Sequence, residues 1–474
     1  MKQEEKQISF GWAIIPLIIM IAAMSYTIVI VGGDPHIPLI LGTVVAALIA
    51  LKCGFSWGEI EGGLYKGIRL ALPAIVIIIM VGIIIGAWIG GGIIATMVYY
   101  GLKLISPSLF LVSITVIAAI VALAIGSSWS TMGTIGVAGM GIGLSMGIPA
   151  PMIAGAIISG AYFGDKMSPL SDSTNLAAGV VGVDLFEHIK HMFFTTIPGL
   201  VIALVVYWFL GRQFSTISME DGQISEIMTQ LQANFVITPW LLLVPAIVIL
   251  LVAKKVPALP ALTVGVFLGL VSQVFVQGGQ IGDAINTLQG GFSIVSGNEM
   301  IDSLFNRGGI DDMMYTVSLT IVAMTFGGVL ENTGMLKSIV NQILKVAKTG
   351  KGLVSTAIST AFITNVTAAE QYISVVVPGR MYAQSFRDKK LHPKNLSRAV
   401  EDGGTLTSVF VPWNTCAIFI FATLAVHPLE YAPYAILNLV VPIISFIYAW
   451  TGFSITPLPP GGDVKVDQDD RKVI

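Results

Sequence analysis

Gly126-Ser127-Ser128-Trp129-Ser130-Thr131-Met132-Gly133-Thr134 and Asp165-Lys166-Met167-Ser168-Pro169-Leu170-Ser171-Asp172-Ser173-Thr174-Asn175 are polar islands in an oily chain. A second pair follows: Thr364-Asn365-Val366-Thr367-Ala368-Ala369-Glu370-Gln371, and Glu401-Asp402-Gly403-Gly404-Thr405-Leu406-Thr407-Ser408 closing on Pro412-Trp413-Asn414-Thr415. Hydroxyls, amides and carboxylates stand where hydrocarbon is expected, beside the glycine and proline that interrupt helices. In lipid, an interrupted helix leaves backbone groups that protein or a bound solute must satisfy. Ionisable residues at that depth mark ion or substrate paths.

The surrounding composition fits this setting. Of 474 residues, 55% are hydrophobic and 11% charged, against about 25% charged in a soluble protein. That excludes a large soluble enzyme. A net charge of -2 gives no nucleic-acid footprint. Cys53 and Cys416 are the only cysteines, so no disulfide framework exists. No small-residue cleavage site clearly follows the first apolar run, which therefore reads as retained.

Apolar runs near the roughly 20 residues that cross a bilayer recur along the chain. In the first half they are 10–31, 38–51 with its flanks, 70–89, 108–125, 148–164 resuming at Leu176, and 191–210. In the second half they are 237–252, 260–276, 313–330, 353–363, 399–423 and 433–450. Residues 55–69 read as a surface segment and 277–312 as a long polar loop. The expected fold is an all-α polytopic membrane protein. Its parts are a cytoplasmic N-terminus (1–9), a first repeat (10–210), an extracellular linker (211–236), a second repeat (237–450) and a cytoplasmic tail (451–474).

Duplication is suggested by matching landmarks. Pro35 and Pro38 match Pro257 and Pro260. Gly67-Ile68, Gly86, Gly92 and Lys103 match Gly309-Ile310, Gly328, Gly334 and Lys345 at one constant offset. Val183 and Glu187 match Val426 and Glu430, and Asn175 matches Asn414 after a small length difference. Duplicated units with interrupted helices mark secondary transporters, with the site where the repeats meet. Lysine and arginine set the orientation. Lys2, Lys6, Lys52, Lys66, Arg69, Lys254, Lys255, the segment with Lys337, Lys345, Lys348 and Lys351, and the run Arg380–Arg398 fall inside; the acidic loop 277–312 falls outside, with Lys103 on the outer side as the one exception. These fit if each half has five crossings plus one re-entrant hairpin, which inverts the second half. The hairpins are placed at 108–139 and 352–378, with tips at 127–134 and 364–370, and the fifth crossings break at 165–175 and 402–414.

Exposed half-helix carbonyls with hydroxyl and amide oxygens suit Na+. A carboxylate at this depth lowers its cost by holding a cation or a proton, so one group can exchange the two. The candidate carriers are Asp172, Asp165, Glu370 and Asp402. Each has a plainer reading: Asp172 as a helix cap, Asp165 paired with Lys166, Glu370 as a hairpin-tip residue, and Asp402 with Glu401 as balance for the basic run. The candidate binding oxygens are Ser127, Ser128, Ser130, Thr131, Thr134, Ser171, Ser173, Thr174, Asn175, Thr364, Asn365, Thr367, Thr405, Thr407, Asn414 and Thr415. Each could instead bond a helix carbonyl. The proposed Na+ set is Ser128, Asp172, Asn175, Asn365 and Thr367. His188 and His191 read as surface residues near Glu187. No cofactor is called for, since no nucleotide loop, nucleophile motif or metal spacing stands out.

The Gly126–Thr134 motif, together with Gly164-Asp-Lys-Met-Ser-Pro-Leu-Ser-Asp-Ser-Thr-Asn-Leu-Ala, resembles the NhaC-type Na+/H+ antiporters over nearly the whole chain. That family includes exchangers coupling malate, lactate, Na+ and H+. The resemblance implies an ion-transporter-superfamily fold: inverted repeats, two opposed hairpins, and usually a homodimer with moving transport domains in a bacterial-type plasma membrane. Thr364-Asn-Val-Thr is similar to that superfamily's hairpin tips, whereas the first tip departs from the pattern with Trp129 in place of asparagine. The expected function is export of Na+ in exchange for H+ by alternating access, with both termini cytoplasmic. A Na+- and H+-coupled exchanger of small carboxylates is the alternative, which the lack of arginine in the four stretches disfavours. A passive channel is the alternative of another class, and a membrane enzyme lacks a catalytic constellation.

Overall fold

The computed structural model describes residues 7–214, 222–254, 256–297, 299–345 and 350–458. Lys2, Lys6, Lys255, Lys348, residues 215–221 of the expected linker and the tail beyond 458 lie outside the described residues. Helices make up the fold, and no strand ladder forms among the described residues. Five helices are long and apolar enough to cross a membrane, and up to eight if each bent pair counts as one span, among the described residues. The chain is thus a multi-pass, all-helical protein.

Two readings of the chain change here. Residues 55–69 are not a separate segment: from Trp57 on they are the first turns of the 34-residue helix Trp57–Gly90, with only Ile60, Gly63 and Gly67 buried among them. Ser56 starts it with a capping box, its own N–H donating to Glu59 Oε2 at 2.6 Å while Glu59 N–H donates back to Ser56 Oγ at 3.3 Å. The loop 277–312 is likewise partly helical, containing Ile281–Gly290 and Glu299–Phe305.

Helix Trp57–Gly90 packs antiparallel against Gly309–Asn332 through glycines. A Cβ on Gly67 would lie 1.9 Å from the Met324 carbonyl and 3.1 Å from Gly328 Cα; one on Gly86 would lie 3.2 Å from Gly309 N. Small residues permit this approach of two backbones. The contacts are reciprocal. Gly67 meets Gly328 and Gly86 meets Gly309, while the sequence equates Gly67 with Gly309 and Gly86 with Gly328.

Two helical hairpins flank this pair. Phe110–Ile125 returns along Val137–Ser145: a Cβ on Gly139 would meet Ile114 Cδ1 at 2.7 Å, and one on Gly143 would meet Phe110 Cε1 at 2.6 Å. Gly350–Ala368 returns along Gln371–Asp388, where Thr360 Oγ1 and Tyr382 OH share a hydrogen bond of 2.7 Å. The first turns at Gly126 (φ 76°), the second at Ala369 (φ 58°). The helices Ala150–Met167 and Asp172–Val181 are separated by a break at 168–171, and Pro393–Phe410 bends 47° before Thr415–Leu424.

A separation of 243 residues links Gly126 to Ala369, both left-handed, and Gly182 to Ala425, also both left-handed. The same separation links caps: Ser127 accepts from Ser130 N–H as Glu370 accepts from Ile373 N–H, and Ser171 caps Asp172–Val181 as Asn414 caps Thr415–Leu424. At this spacing Asn414 pairs with Ser171 rather than with Asn175.

Left-handed backbone costs an L-residue about 1–2 kcal/mol, less what glycine adds to the unfolded chain's freedom. Ala369→Gly is therefore expected to raise stability by about 0.5–1 kcal/mol. The readout is the apparent melting temperature of the purified protein in detergent. A fall would mean that the alanine methyl contributes more by packing than the turn loses by strain.

Candidate functional site: an acidic cavity at the hairpin tips

The two hairpin tips and the two helix breaks meet around one cavity of about 550 Å³. The first tip supplies Gly126, Ser127, Ser128, Trp129 and Ser130, and the second supplies Glu370, Gln371 and Tyr372. The breaks supply Asp165, Leu170, Asp172 and Ser173 from one side and Thr415 and Cys416 from the other. Three carboxylates thus face one space, and no Lys, Arg or His among the described residues lines it.

Local chemistry explains each position. Asp165 is 7% exposed near the end of Ala150–Met167, and its Oδ2 accepts from Ser128 N–H at 3.1 Å and Ser128 Oγ at 2.7 Å. This bond ties the first tip to the first break. Glu370 caps Gln371–Asp388, its Oε2 accepting from Ile373 N–H at 3.0 Å. Asp172 opens Asp172–Val181 and is exposed at the cavity wall. A carboxylate in a first helical turn is favoured by the N-terminal backbone dipoles. Trp129 stacks on Phe419 at 4.2 Å, and Cys416 Sγ donates to Gln371 Oε1 at 2.8 Å. Thr415 N–H donates to the Ala369 carbonyl at 3.0 Å, joining the second tip to the second break.

The cavity gathers eight of the sequence-derived site residues: Ser127, Ser128, Ser130, Asp165, Asp172, Ser173, Glu370 and Thr415. The others lie behind it or elsewhere. Asn365 and Asn414 meet in a buried pair, Asn414 Nδ2 donating to Asn365 Oδ1 at 3.0 Å, while Asn365 Nδ2 donates to the Gly404 carbonyl at 2.6 Å and to Thr407 Oγ1 at 3.1 Å. Thr131, Thr134, Thr364 and Thr367 each donate to the carbonyl four residues back, at 2.8–3.0 Å. Thr174 Oγ1 donates to the Lys166 carbonyl at 3.1 Å, Ser171 caps its helix, and Thr405 is buried. Asn175 Nδ2 donates to the Pro169 and Ser171 carbonyls at 2.9 and 2.7 Å. The set Ser128, Asp172, Asn175, Asn365 and Thr367 is therefore not assembled into one shell. No group of three or more His, Cys, Asp or Glu side chains converges as metal ligands among the described residues.

Lys166 does not pair with its neighbour Asp165. Its ammonium pairs with Asp402, and both side chains are fully buried. Thr195 Oγ1 also donates to Asp402 Oδ1, at 3.4 Å. Glu401 accepts from Ser173 Oγ at 3.1 Å, which connects this buried charge cluster to the cavity wall. His188 and His191 are buried at 0% and 4% exposure, not on the surface. Gln371, Tyr372 and Cys416 were not among the expected site residues. Their signal was positional: Gln371-Tyr372 follow the cap Glu370 as Ser128-Trp129 follow the cap Ser127.

Apolar spans, paired hairpins and broken helices around an acidic cavity define a multi-pass membrane protein of the transporter class. Residues 160–453 match the model of the Na+/H+ antiporter family. The chain is 36% identical to the Na(+)/H(+) antiporter NhaC of Alkalihalophilus pseudofirmus, over 95% of this chain and 97% of that one. It is 37% identical to a malate-2H(+)/Na(+)-lactate antiporter of Bacillus subtilis (88% and 89% covered). It is 34% identical to the arginine/ornithine antiporter ArcD of Halobacterium salinarum (95% and 94% covered). The chain belongs to the Na+/H+ antiporter family.

Proposed function

We propose that this protein exchanges Na+ for H+ across a cell membrane by alternating access, exporting Na+ through the acidic cavity. One observation supports this above the others: three carboxylates, Asp165, Asp172 and Glu370, share one cavity with hydroxyls and without a lining cation. Carboxylates without a cationic partner at membrane depth keep a positive ion or take up a proton. The two are mutually exclusive at one oxygen, so binding of one releases the other. Asp172, exposed at the wall, receives the ion. Asp165, held by Ser128, is the inner carboxylate that couples ion occupancy to the first hairpin tip.

A relative covering nearly this whole chain and named a Na(+)/H(+) antiporter supports the same choice of solutes. An anionic substrate such as malate or lactate would enter a space lined by three acids, so the geometry disfavours it. The reciprocal glycine contacts and the 243-residue spacing support two copies of one unit inserted with opposite sense. In that reading the hairpins enter from opposite faces, both termini are cytoplasmic, and residues 211–236 cross between the copies outside. The protein would work as a homodimer.

Asp165→Asn and Asp172→Asn are each expected to lower Na+-dependent proton movement in everted vesicles by more than about tenfold, a loss of over 1.4 kcal/mol, while the protein remains in the membrane. Wild-type exchange in both variants would remove the cavity from the mechanism.

A further inference from the structure

The cavity is built for more than a bare ion. Its volume of about 550 Å³ falls in the range of roughly 300–1,000 Å³ that holds small organic ligands. Leu70, Pro73, Ala74 and Ile77 line it at helical spacing, a single apolar stripe of Trp57–Gly90. The carboxylates come from other elements, the second hairpin tip and the first helix break. A hydrated Na+ gains nothing from a hydrocarbon wall. An aromatic ring stands at the same place on each tip, Trp129 on the first and Tyr372 on the second, 243 residues apart. Aromatic faces attract organic cations. Thr415 lines the cavity too, 1% exposed, and its Oγ1 has no hydrogen-bond partner.

We infer that the cavity takes a small organic cation, an ammonium carrying a short apolar chain, in competition with Na+. The charged head lies among Asp165, Asp172 and Glu370, and the chain lies along the Leu70–Ile77 stripe. This rests on the reading of the cavity as the transport site. It is independent of whether Na+ is the physiological partner.

The test is equilibrium binding to the purified full chain in detergent, where no bilayer lets amines leak. Labelled Na+ is displaced by tetramethylammonium, by butyltrimethylammonium and by butyrate, and labelled butyltrimethylammonium binding is measured directly. The expected result is displacement by both cations and not by butyrate, with the butyl compound at least about tenfold more potent because its extra methylenes are buried. Ile77→Ser, or Leu70→Ser if the first fails to fold, should shrink that advantage. Na+ binding that neither cation disturbs would overturn the inference and leave Na+/H+ exchange standing. Equal potency of the two cations would overturn it as well, since charge alone would then decide. Binding of butyltrimethylammonium without any Na+ binding would overturn the competition with Na+ and the Na+ reading with it. Binding of neither would overturn both.

Discussion

Asp402→Asn should destabilise this protein more than the loss of any surface charge. Lys166 and Asp402 are both fully buried, so the variant leaves an ammonium in the interior without its counter-charge. Breaking such a pair from one side costs about 3–5 kcal/mol, whereas replacing both members with apolar groups of similar volume is often neutral. The expected pattern is therefore asymmetric. Asp402→Asn accumulates poorly in the membrane and melts early in detergent. Lys166→Met with Asp402→Leu recovers part of the stability, since the buried Arg398 also loses the charge of Asp402. Wild-type melting of the single variant would show that the pair does not hold these helices together. A double variant that is stable yet inactive would show that the Lys166–Asp402 pair takes part in transport.

Gly67→Ala is the second large effect. Its Cβ would fall 1.9 Å from the Met324 carbonyl, a backbone atom that cannot rotate away. Helices Trp57–Gly90 and Gly309–Asn332 would have to separate. Overpacking of this kind costs about 1–3 kcal/mol, sometimes more. An internal control lies five residues back in the same helix. A Cβ on Gly62 meets nothing within 4 Å, so Gly62→Ala should stabilise by about 1 kcal/mol through helix propensity alone. Opposite signs for two glycine-to-alanine changes in one helix, read as melting temperatures in detergent, would separate packing from propensity. Equal signs would show that the close approach at Gly67 is relieved by other means.

Much of the site was legible in the chain. Polar islands at 126–134, 165–175, 364–371 and 401–415 stand out because hydrocarbon surroundings make each polar residue costly. Gly126 and Ala369 both mark real hairpin turns, although only the first is a glycine. Other parts were hidden. Lys166 follows Asp165 in sequence, but consecutive helical residues point in different directions. Asp165 turns to Ser128 and Lys166 to Asp402. His188 and His191 lie close to the exposed Glu187 in the chain, yet sit on the side of the same helix that faces the protein interior. The hydroxyls of Thr131, Thr134, Thr364 and Thr367 look like ligands in a string of letters. In the folded chain they bond the preceding turn, a geometry any helix offers.

Sequence alone determined that the chain lives among lipids, is helical, breaks at four places, and places acids and hydroxyls at those breaks. These follow from one-dimensional facts: how long an apolar run is, and which residues cannot stay in hydrocarbon unsatisfied. Only the tertiary structure decided which of those groups face a common space and which are used up by a neighbouring carbonyl or a buried counter-charge. Hydrogen-bond capacity is finite, and its partners here come from segments more than 200 residues apart, as Lys166 and Asp402 show.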